Sequence, residues 1–238
     1  MPEGHRVQSM FSGIAHRYDL LNHLLSLGLD FYWWHRMAAL SGACPGRLML
    51  DVAAGTGDSS LALAKRGAKV ISTDFTHAML ALGPSKFRSK GLDNLIWASV
   101  GADAQRLPFL DNHFDGITIC YGIRNVEQRS LAYAEFLRVL KPGACLTILE
   151  FSRPKWSWLR AFYNFYSLKM LPRIGGWISG NPSAYTYLPE SIREFPDQIH
   201  LAKELKLAGF ANVQWTNLSG GIVAIHAGAK PAKGGTRS

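Results

Sequence analysis

A short turn after the first apolar run of the sequence has residue types that bind nucleotide-like ligands. Positions 51–58 read DVAAGTGD, and a helical pattern follows at once. Gly55 and Gly57, on either side of Thr56, let the backbone pass close to a ligand, and the helix start presents unpaired N–H groups. Asp51, just before the turn, joins the same candidate site. A Gly-x-Gly turn alone also fits an ordinary tight turn between a strand and a helix.

A second acidic position sharpens this interpretation. Asp74 ends the next apolar run, about 20 residues after the glycines, where a carboxylate accepts the two hydroxyls of a ribose. Three residues after Gly57 stands Ser60, whereas the pyrophosphate-binding form of this turn has a third glycine there. The pattern therefore favours S-adenosylmethionine, which has a ribose but no pyrophosphate, over a dinucleotide. A solvent-exposed aspartate at a strand end is the plainer alternative.

The ends of the third and fourth apolar runs add further cofactor contacts. Asp103 and Ala104 follow the third run, at the edge where open α/β sheets bind ligands, and suit recognition of the adenine amino group. Cys120 ends the fourth run, and we expect it to pack against the cofactor. The predicted cofactor-binding residues are Asp51, Gly55, Thr56, Gly57, Asp74, Asp103, Ala104 and Cys120.

The elements that carry these residues alternate along the chain. Apolar runs predict strands at 48–52, 69–73, 95–100, 114–120, 145–151, 213–217 and 222–227. Helical patterns predict helices at 59–66, 77–90, 128–140 and 197–207, with Lys141-Pro142-Gly143 and Gly209 ending the last two. This alternation is typical of a parallel sheet with crossover helices, and the short connection between the last two strands predicts an antiparallel edge hairpin.

The predicted fold class is therefore α/β: a Rossmann-like class I S-adenosylmethionine-dependent methyltransferase with seven strands. The hairpin at the edge, which separates this arrangement from an all-parallel dinucleotide-binding sheet, rests on knowledge of the fold as well as on loop length. We expect one domain over 1–230, with an N-terminal helical lid at 1–46 and a helical insertion at 152–196. The tail at 231–238 has a disordered composition.

Composition limits the compartment and the class of site. The chain has 238 residues and three cysteines without paired spacing, which argues against a disulfide framework or a zinc site. The N-terminus lacks a secretory pattern, and no uncharged apolar run reaches about 18 residues. We therefore expect a soluble protein of the reducing cytoplasm that needs no metal.

Positive charge is concentrated in two segments. Of the net charge of +9, residues 152–196 supply +4 and residues 230–238 supply +3. Within the first segment, residues 152–180 interleave five basic residues with seven aromatic ones, and the apolar positions 156, 159, 162, 163, 166 and 170 share one helical face. A transient contact with an anionic membrane surface at the inner face of the membrane is one interpretation, and an ordinary cap helix is the other. Nucleic acid is disfavoured because position 120–123 reads CYGI instead of the Asx-Pro-Pro-aromatic motif of base-amino methylases.

Seven segments together resemble the C-methyltransferases of menaquinone and ubiquinone biosynthesis. In chain order they read VQSMFSGIAHRYDLLNHLLSLG, LDVAAGTGD, YGIRNV, RVLKPGA, LEFSRP, AYTYLPESIREFP and NLSGGIVAIHAGAKP. The resemblance covers residues 7–231 and implies cofactor contacts at Thr56, Asp74, Asp103, Ala104 and Cys120. It departs from the family after the lid glycine, where many members have His-Arg but this chain has Asp30-Phe31.

The resemblance implies a polyprenyl quinol substrate, and the chemistry then suggests roles for three residues. Methylation of carbon needs an electron-rich ring, which deprotonation of a neighbouring hydroxyl supplies. Arg124 could stabilise the developing phenolate, although a surface ion pair would also explain it, and Asn125 and Tyr185 could position the ring hydroxyls. Tyr121 could form a wall beside the methyl path. The eight histidines show no spacing that identifies a general base.

The function expected from the sequence is C-methylation of demethylmenaquinol to menaquinol with S-adenosylmethionine. C-methylation of 2-methoxy-6-polyprenyl-benzoquinol in ubiquinone biosynthesis is the main alternative. Methylation of another lipid or small phenol, and a non-catalytic membrane-surface module, are less favoured. A homo-oligomer stays open.

Overall fold

The computed structural model describes residues 12–13, 19–20, 22–24, 26–166 and 182–232, apart from the side chains at 162, 164 and 182–186. Its strands are β1 (Leu48–Val52), β2 (Lys69–Asp74), β3 (Ile96–Gly101), β4 (Phe114–Cys120), β5 (Leu140–Phe151), β6 (Ala211–Leu218) and β7 (Val223–Ala229). Its helices are α1 (Leu29–Leu40), α2 (Asp58–Ala64), α3 (His77–Leu80), α4 (Gly83–Ser89), α5 (Arg129–Val139), α6 (Ser157–Phe165), α7 (Pro182–Glu194) and α8 (Gln198–Ala208). Among the described residues, no helix has both the length and the apolar character needed to cross a bilayer.

The strands form one seven-stranded sheet in the order β3-β2-β1-β4-β5-β7-β6. The first five strands are parallel, and β7 runs antiparallel to both β5 and β6. A 3₁₀ turn at Ser219–Gly221 connects β6 to β7. The predicted α/β class and the antiparallel edge hairpin are confirmed.

Helices cover both faces of the sheet because the central strands are apolar on both sides. On one face, Phe136 of α5 and Leu205 of α8 pack with Ile117 and Leu146 of the sheet. On the other face, α1 and α2 bury a second cluster that includes Trp33, Met37 and Leu63. The carboxyl ends of β1, β2, β4 and β5 are thereby held in one row, which is the edge where such sheets bind ligands.

Most predicted elements match the structure to within two residues at each end, but two of them differ by more. The helix predicted at 77–90 is divided into α3 and α4 because Pro84 has no N–H to continue a helix, although proline is well tolerated in a first turn. The strand predicted at 145–151 begins at Leu140, directly after α5. The pairing of β5 with β4 is irregular across Lys141-Pro142-Gly143, so these residues end the helix as predicted but lie within the strand.

Candidate active site

The carboxylate of Asp51 lies beneath the glycine turn and is completely buried. Ser59 and Ser60 at the start of α2 each donate a hydrogen bond to Oδ2 at 2.6 Å, and Thr118 of β4 donates to Oδ1 at 2.8 Å. Burial raises the pKa of Asp51 to about 6, against the lowering effect of these three hydroxyls. Asp51 therefore joins β1, β4 and α2, and in this position it shapes the turn from below.

The glycine turn needs both of its glycines. Gly55 and Gly57 have φ angles of 58° and 93°, in the left-handed region that favours glycine. A Cβ atom at Gly57 would lie 2.4 Å from ring atoms of Phe87, which leaves no room for a side chain. The two glycines therefore let the turn lie close to the carboxyl end of β2, where the Gly55 N–H contacts Asp74.

The carboxylate of Asp74 is held against this turn. Its Oδ2 accepts the Gly55 N–H at 2.8 Å, and its Oδ1 accepts the Thr76 N–H at 2.7 Å. Burial raises the pKa of Asp74, and these backbone hydrogen bonds oppose the shift. Each carboxylate oxygen can accept more than one hydrogen bond. Each oxygen of Asp74 can therefore accept one further hydrogen bond from a ribose hydroxyl. The two ribose hydroxyls of S-adenosylmethionine are donors that fit this position.

The remaining cofactor predictions lie along the same edge. The Ala102 N–H donates to the Asp74 carbonyl at 3.1 Å, which places Asp103 beside the end of β2. The Asp103 carboxylate accepts the Gln105 N–H at 2.9 Å, and Ala104 is buried. Cys120 is buried in the apolar cluster of α1, and burial raises the pKa of its thiol. Recognition of adenine by Asp103 and Ala104 stays a prediction.

Thr56 belongs to a charged cluster that the sequence did not indicate. Its hydroxyl donates to Oδ1 of Asp19 at 2.5 Å, and Lys86 Nζ lies 3.2 Å from the same hydroxyl. Lys86 also binds Asp19 at 2.7 Å and Asp58 at 2.6 Å. This Lys86 cluster (Asp19, Thr56, Asp58 and Lys86) joins the N-terminal segment to the cofactor turn. Asp19 and Lys86 are 67 positions apart, and no motif marks either of them.

Beyond β4, Arg124 forms a buried ion pair with Glu150 of β5. The Nη1 atom lies 2.6 Å from Oε1, and the two side chains are 5% and 1% exposed. The same nitrogen donates to the Tyr121 carbonyl. Burial raises the pKa of Glu150, and the charge of Arg124 opposes that shift. The alternative of a surface ion pair for Arg124 is therefore wrong, since the pair is internal.

Asn125 meets a tyrosine two positions from the one that the sequence singled out. The Tyr187 hydroxyl donates to Asn125 Oδ1 at 2.9 Å, which links α7 to the end of β4. The side chain of Tyr185 lies outside the described residues, so its role stays a prediction. Tyr187 belongs to the same AYTYLPESIREFP segment, and that segment was the signal that could have identified it.

Three aromatic rings form a wall beside these polar groups. Tyr121 packs on Phe151 with ring centroids 4.8 Å apart, and Trp33 meets the two rings at 6.5 and 6.4 Å. Tyr121 has a φ of 55°, and its buried hydroxyl has no hydrogen-bond partner among the described residues. Burial raises the pKa of the Tyr121 phenol. In this aromatic wall (Trp33, Tyr121 and Phe151), Trp33 is buried behind the other two rings, and Tyr121 and Phe151 are partly exposed and could contact a flat ring.

Asp30, the departure noted in the lid, is buried at the start of α1. Its Oδ2 lies 2.5 Å from Nδ1 of His23, and its Oδ1 accepts the Phe31 N–H at 3.0 Å.

Within the described ranges, no group of three or more His, Cys, Asp or Glu residues has the arrangement of a metal site.

Nearly the whole chain is similar in sequence to one family of known proteins. The model of the ubiE/COQ5 methyltransferase family matches residues 2–230. The chain is 45% identical over 227 residues to the demethylmenaquinone methyltransferase of Streptomyces avermitilis, covering 95% of each protein. It is 46% identical over 225 residues to the protein of the same name from Mycobacterium marinum, covering 94% of each.

Two solved structures share the fold at low sequence identity. The [4+2]-cyclase SpnF aligns with a TM-score of 0.73 at 18% identity, covering 97% of this chain and 98% of that one. An S-adenosylmethionine-dependent methyltransferase from Thermotoga maritima, described as a possible histamine N-methyltransferase, aligns with a TM-score of 0.66 at 18% identity over 93% and 98% of the two chains. These likenesses concern the fold, whereas the family match covers nearly the whole sequence. The chain therefore belongs to the ubiE/COQ5 methyltransferase family and is an S-adenosylmethionine-dependent methyltransferase.

Proposed function

We propose that this chain methylates a ring carbon of a polyprenyl quinol, converting demethylmenaquinol to menaquinol in menaquinone biosynthesis. The relatives named demethylmenaquinone methyltransferase, which match 94–95% of the chain, support the naphthoquinol over the benzoquinol.

The observation that carries the proposal is the pairing of the aromatic wall with hydrogen-bonding groups at the ends of β4 and β5. The wall offers a flat apolar surface to a quinol ring. Arg124 and Asn125 follow Cys120 by only a few residues, so a ring on this wall has a cationic and an amide side chain close to the predicted cofactor position. Both oxygens of a quinol therefore have candidate partners.

The chain's own residues position the reactants and the charge. When bound, S-adenosylmethionine supplies an electrophilic methyl group. Asp74 holds the ribose, the glycine turn fixes its approach, and the wall aligns the ring so that one carbon faces the methyl group. Arg124 lies where negative charge on a quinol oxygen would be stabilised, a kind of contribution worth about 3–4 kcal/mol in other enzymes.

The substrate's prenyl tail calls for a route from a bilayer, and we propose that α6 lies at an anionic membrane surface. Trp156 and Trp158 stack with centroids 5.9 Å apart, and both are more than half exposed. Phe165 is also exposed at the other end of α6, whereas Leu159 and one edge of the Trp156 ring lie against Gly220 of the hairpin turn. One face of α6 therefore packs on the sheet edge, and exposed aromatic rings are left beside Arg160 for lipid.

Anaerobic incubation with labelled S-adenosylmethionine and two short-tailed quinols tests the function. We expect label to appear in the organic extract with the demethylmenaquinol analogue and much less with the 2-methoxy-benzoquinol analogue. Equal or greater labelling of the benzoquinol would replace the proposed substrate. Labelling of neither quinol by a folded protein that binds the cofactor would reject quinol methylation.

A further inference from the structure

His23 and Asp30 form a close pair in the lid, outside the groups assigned so far. Nδ1 of His23 lies 2.5 Å from Oδ2 of Asp30, whose side chain is 4% exposed. The other oxygen of Asp30 accepts the Phe31 N–H. The carboxylate thus has one fixed partner for each oxygen, whereas the His23 side chain is partly exposed, at 28%.

Two aromatic rings fix the plane of the imidazole. Phe31 stacks on His23 with centroids 4.4 Å apart and an interplanar angle of 19°. Trp34 meets the same ring edge-on at 5.9 Å. A carboxylate at Nδ1 favours the tautomer that has its proton there, so that Nε2 is left with a lone pair. Among the described residues, Nε2 has no hydrogen-bond partner.

The pair lies at the reacting edge of the sheet. Asp30 is close enough to Tyr121 that its charge adds to the raised pKa of that phenol, which burial mainly causes. Burial raises the pKa of Asp58, the first residue of α2, and after Lys86 the charge of His23 is among the nearby groups that lower it. One turn further along α1, Trp33 belongs to the aromatic wall. The pair is thus placed between the cofactor turn and the wall.

We propose that Nε2 of His23 accepts the proton of the quinol hydroxyl next to the methylated carbon, and that Asp30 is its positioning residue. This inference rests on the proposed quinol substrate. Among the residues that the structure describes, the charged groups near His23 are Asp30 from α1, Asp58 from α2 and, through Asp58, the Lys86 cluster.

The proton and electron changes balance. Nε2 takes the hydroxyl proton, and the electron pair left on oxygen spreads into the ring. The ring carbon forms its bond to the methyl carbon while the methyl–sulfur bond breaks and its pair stays on sulfur. The hydrogen of that ring carbon then leaves as a proton to water, and the imidazolium returns its proton to the oxygen. One proton is released for each methyl group transferred.

Three variants test the inference by anaerobic steady-state kinetics. His23→Gln can still donate to Asp30 but cannot act as the base, and we expect kcat to fall by on the order of 10²-fold or more with little change in either KM. Asp30→Asn removes the charge behind the imidazole, so we expect a smaller loss and a rising limb shifted to lower pH. The matched control is His200→Gln, because His200 forms an exposed pair with Asp197 at 2.7 Å at the start of α8. This variant should leave kcat and the pH profile unchanged.

A binding measurement supplies a readout that does not depend on turnover. The probe is 4-methoxy-1-naphthol, which has a single ionisable hydroxyl and a naphtholate that absorbs at longer wavelength. Bound to the wild type with S-adenosylhomocysteine, it should ionise at lower pH than in water, because Arg124 and a protonated His23 both favour the naphtholate. His23→Gln should reduce that shift and leave only the part that Arg124 supplies. His200→Gln should retain the full shift.

The outcomes separate the two proposals. Normal kcat, an unshifted profile and an unchanged naphthol titration in His23→Gln would overturn the role of His23 and leave quinol methylation standing. If that variant misfolds by circular dichroism, Asp30→Asn and its naphthol titration decide instead, and an unchanged result there also overturns the proposal. A wild type that methylates no quinol would reject both.

Discussion

Nη1 of Arg124 lies 2.6 Å from Oε1 of Glu150, in a pair that is almost fully buried at the ends of β4 and β5. Arg124 also donates to the carbonyl of Tyr121, the residue with positive φ in the aromatic wall. The guanidinium therefore has two tasks, since it neutralises a buried carboxylate and holds the wall in place. Loss of its charge would leave Glu150 unpaired, which typically costs about 3–5 kcal/mol of folding free energy.

Arg124→Lys separates catalysis from folding because it keeps the charge and removes the planar fork of donors. We expect kcat to fall by on the order of 10²-fold and cofactor affinity to stay nearly constant. The rising limb of the pH profile should move to higher pH, opposite to the shift expected for Asp30→Asn, because the phenolate is less stabilised. Stopped-flow kinetics measure the change in turnover, and thermal unfolding measures any change in the stability of the fold. Normal turnover with an unshifted profile would leave Arg124 a purely structural role.

Asp74→Ala should weaken the binding of S-adenosylmethionine by roughly 2–4 kcal/mol, because up to two charge-assisted hydrogen bonds to the ribose are lost. Asp115→Ala is the matched control. Asp115 also accepts a backbone N–H, that of Leu48 at 2.9 Å. It lies at the amino end of β4, away from the edge of the sheet that carries the cofactor site. Calorimetric titration of both folded variants checks the prediction, and equal affinities would remove Asp74 from the cofactor site.

Membrane docking predicts that Trp156→Ala combined with Trp158→Ala reduces sedimentation with anionic vesicles. Each basic residue near the surface contributes about 1 kcal/mol, so binding of the wild type should also weaken with salt. Trp97→Ala is the control, since Trp97 on β3 is as exposed as Trp156, at 54%. Equal sedimentation with neutral and anionic vesicles, or an equal loss in the control, would favour a plain cap helix.

His226 of β7 predicts a loss of stability in acid. It is buried, its Nε2 lies 3.0 Å from the Gln198 carbonyl, and burial lowers its pKa below the ordinary histidine value of about 6.5. Because the unfolded chain binds a proton more readily, the contribution of His226 to stability is complete above that value and decreases as pH falls toward the lowered pKa, by at most about 1.4 kcal/mol per pH unit.

The measurement is the free energy of unfolding in urea across this range, as the difference between wild type and His226→Gln. The difference is needed because Asp51, with its raised pKa, acts in the opposite sense and stabilises the fold as pH falls through about 6. A difference that is flat with pH would show that His226 is not coupled to folding.

The residues that sequence could identify are those fixed by local pattern. The bounds of β1 and β4 match the predicted runs, and the turn with Gly55 and Gly57 adopts the expected positive φ angles. Both follow from neighbours in the chain: apolar runs make buried strands, and paired glycines allow the turn.

The residues that sequence missed depend on contacts between distant segments. Asp19 and Lys86 meet only because the lid lies on α4, and Arg124 meets Glu150 only because β4 and β5 are neighbours in the sheet. His23 and Asp30 are close in sequence, but their pairing needs the bend at Gly28, which has a φ of 75°. The sequence singled out Arg124 and Asp30, but no spacing rule could have selected their partners Glu150 and His23, or Asp19 and Lys86, from the other polar side chains.

The position of the transferred methyl group in the product tests directly whether the protein methylates a ring carbon of the quinol. The protein is incubated without oxygen with a short-tailed demethylmenaquinol and S-adenosylmethionine labelled with ¹³C in its methyl group, and the product is examined by carbon NMR. We predict a methyl carbon bonded to the ring and a product that oxidises fully to a quinone. A methyl carbon bonded to oxygen, in a product that resists that oxidation, would contradict C-methylation at this site.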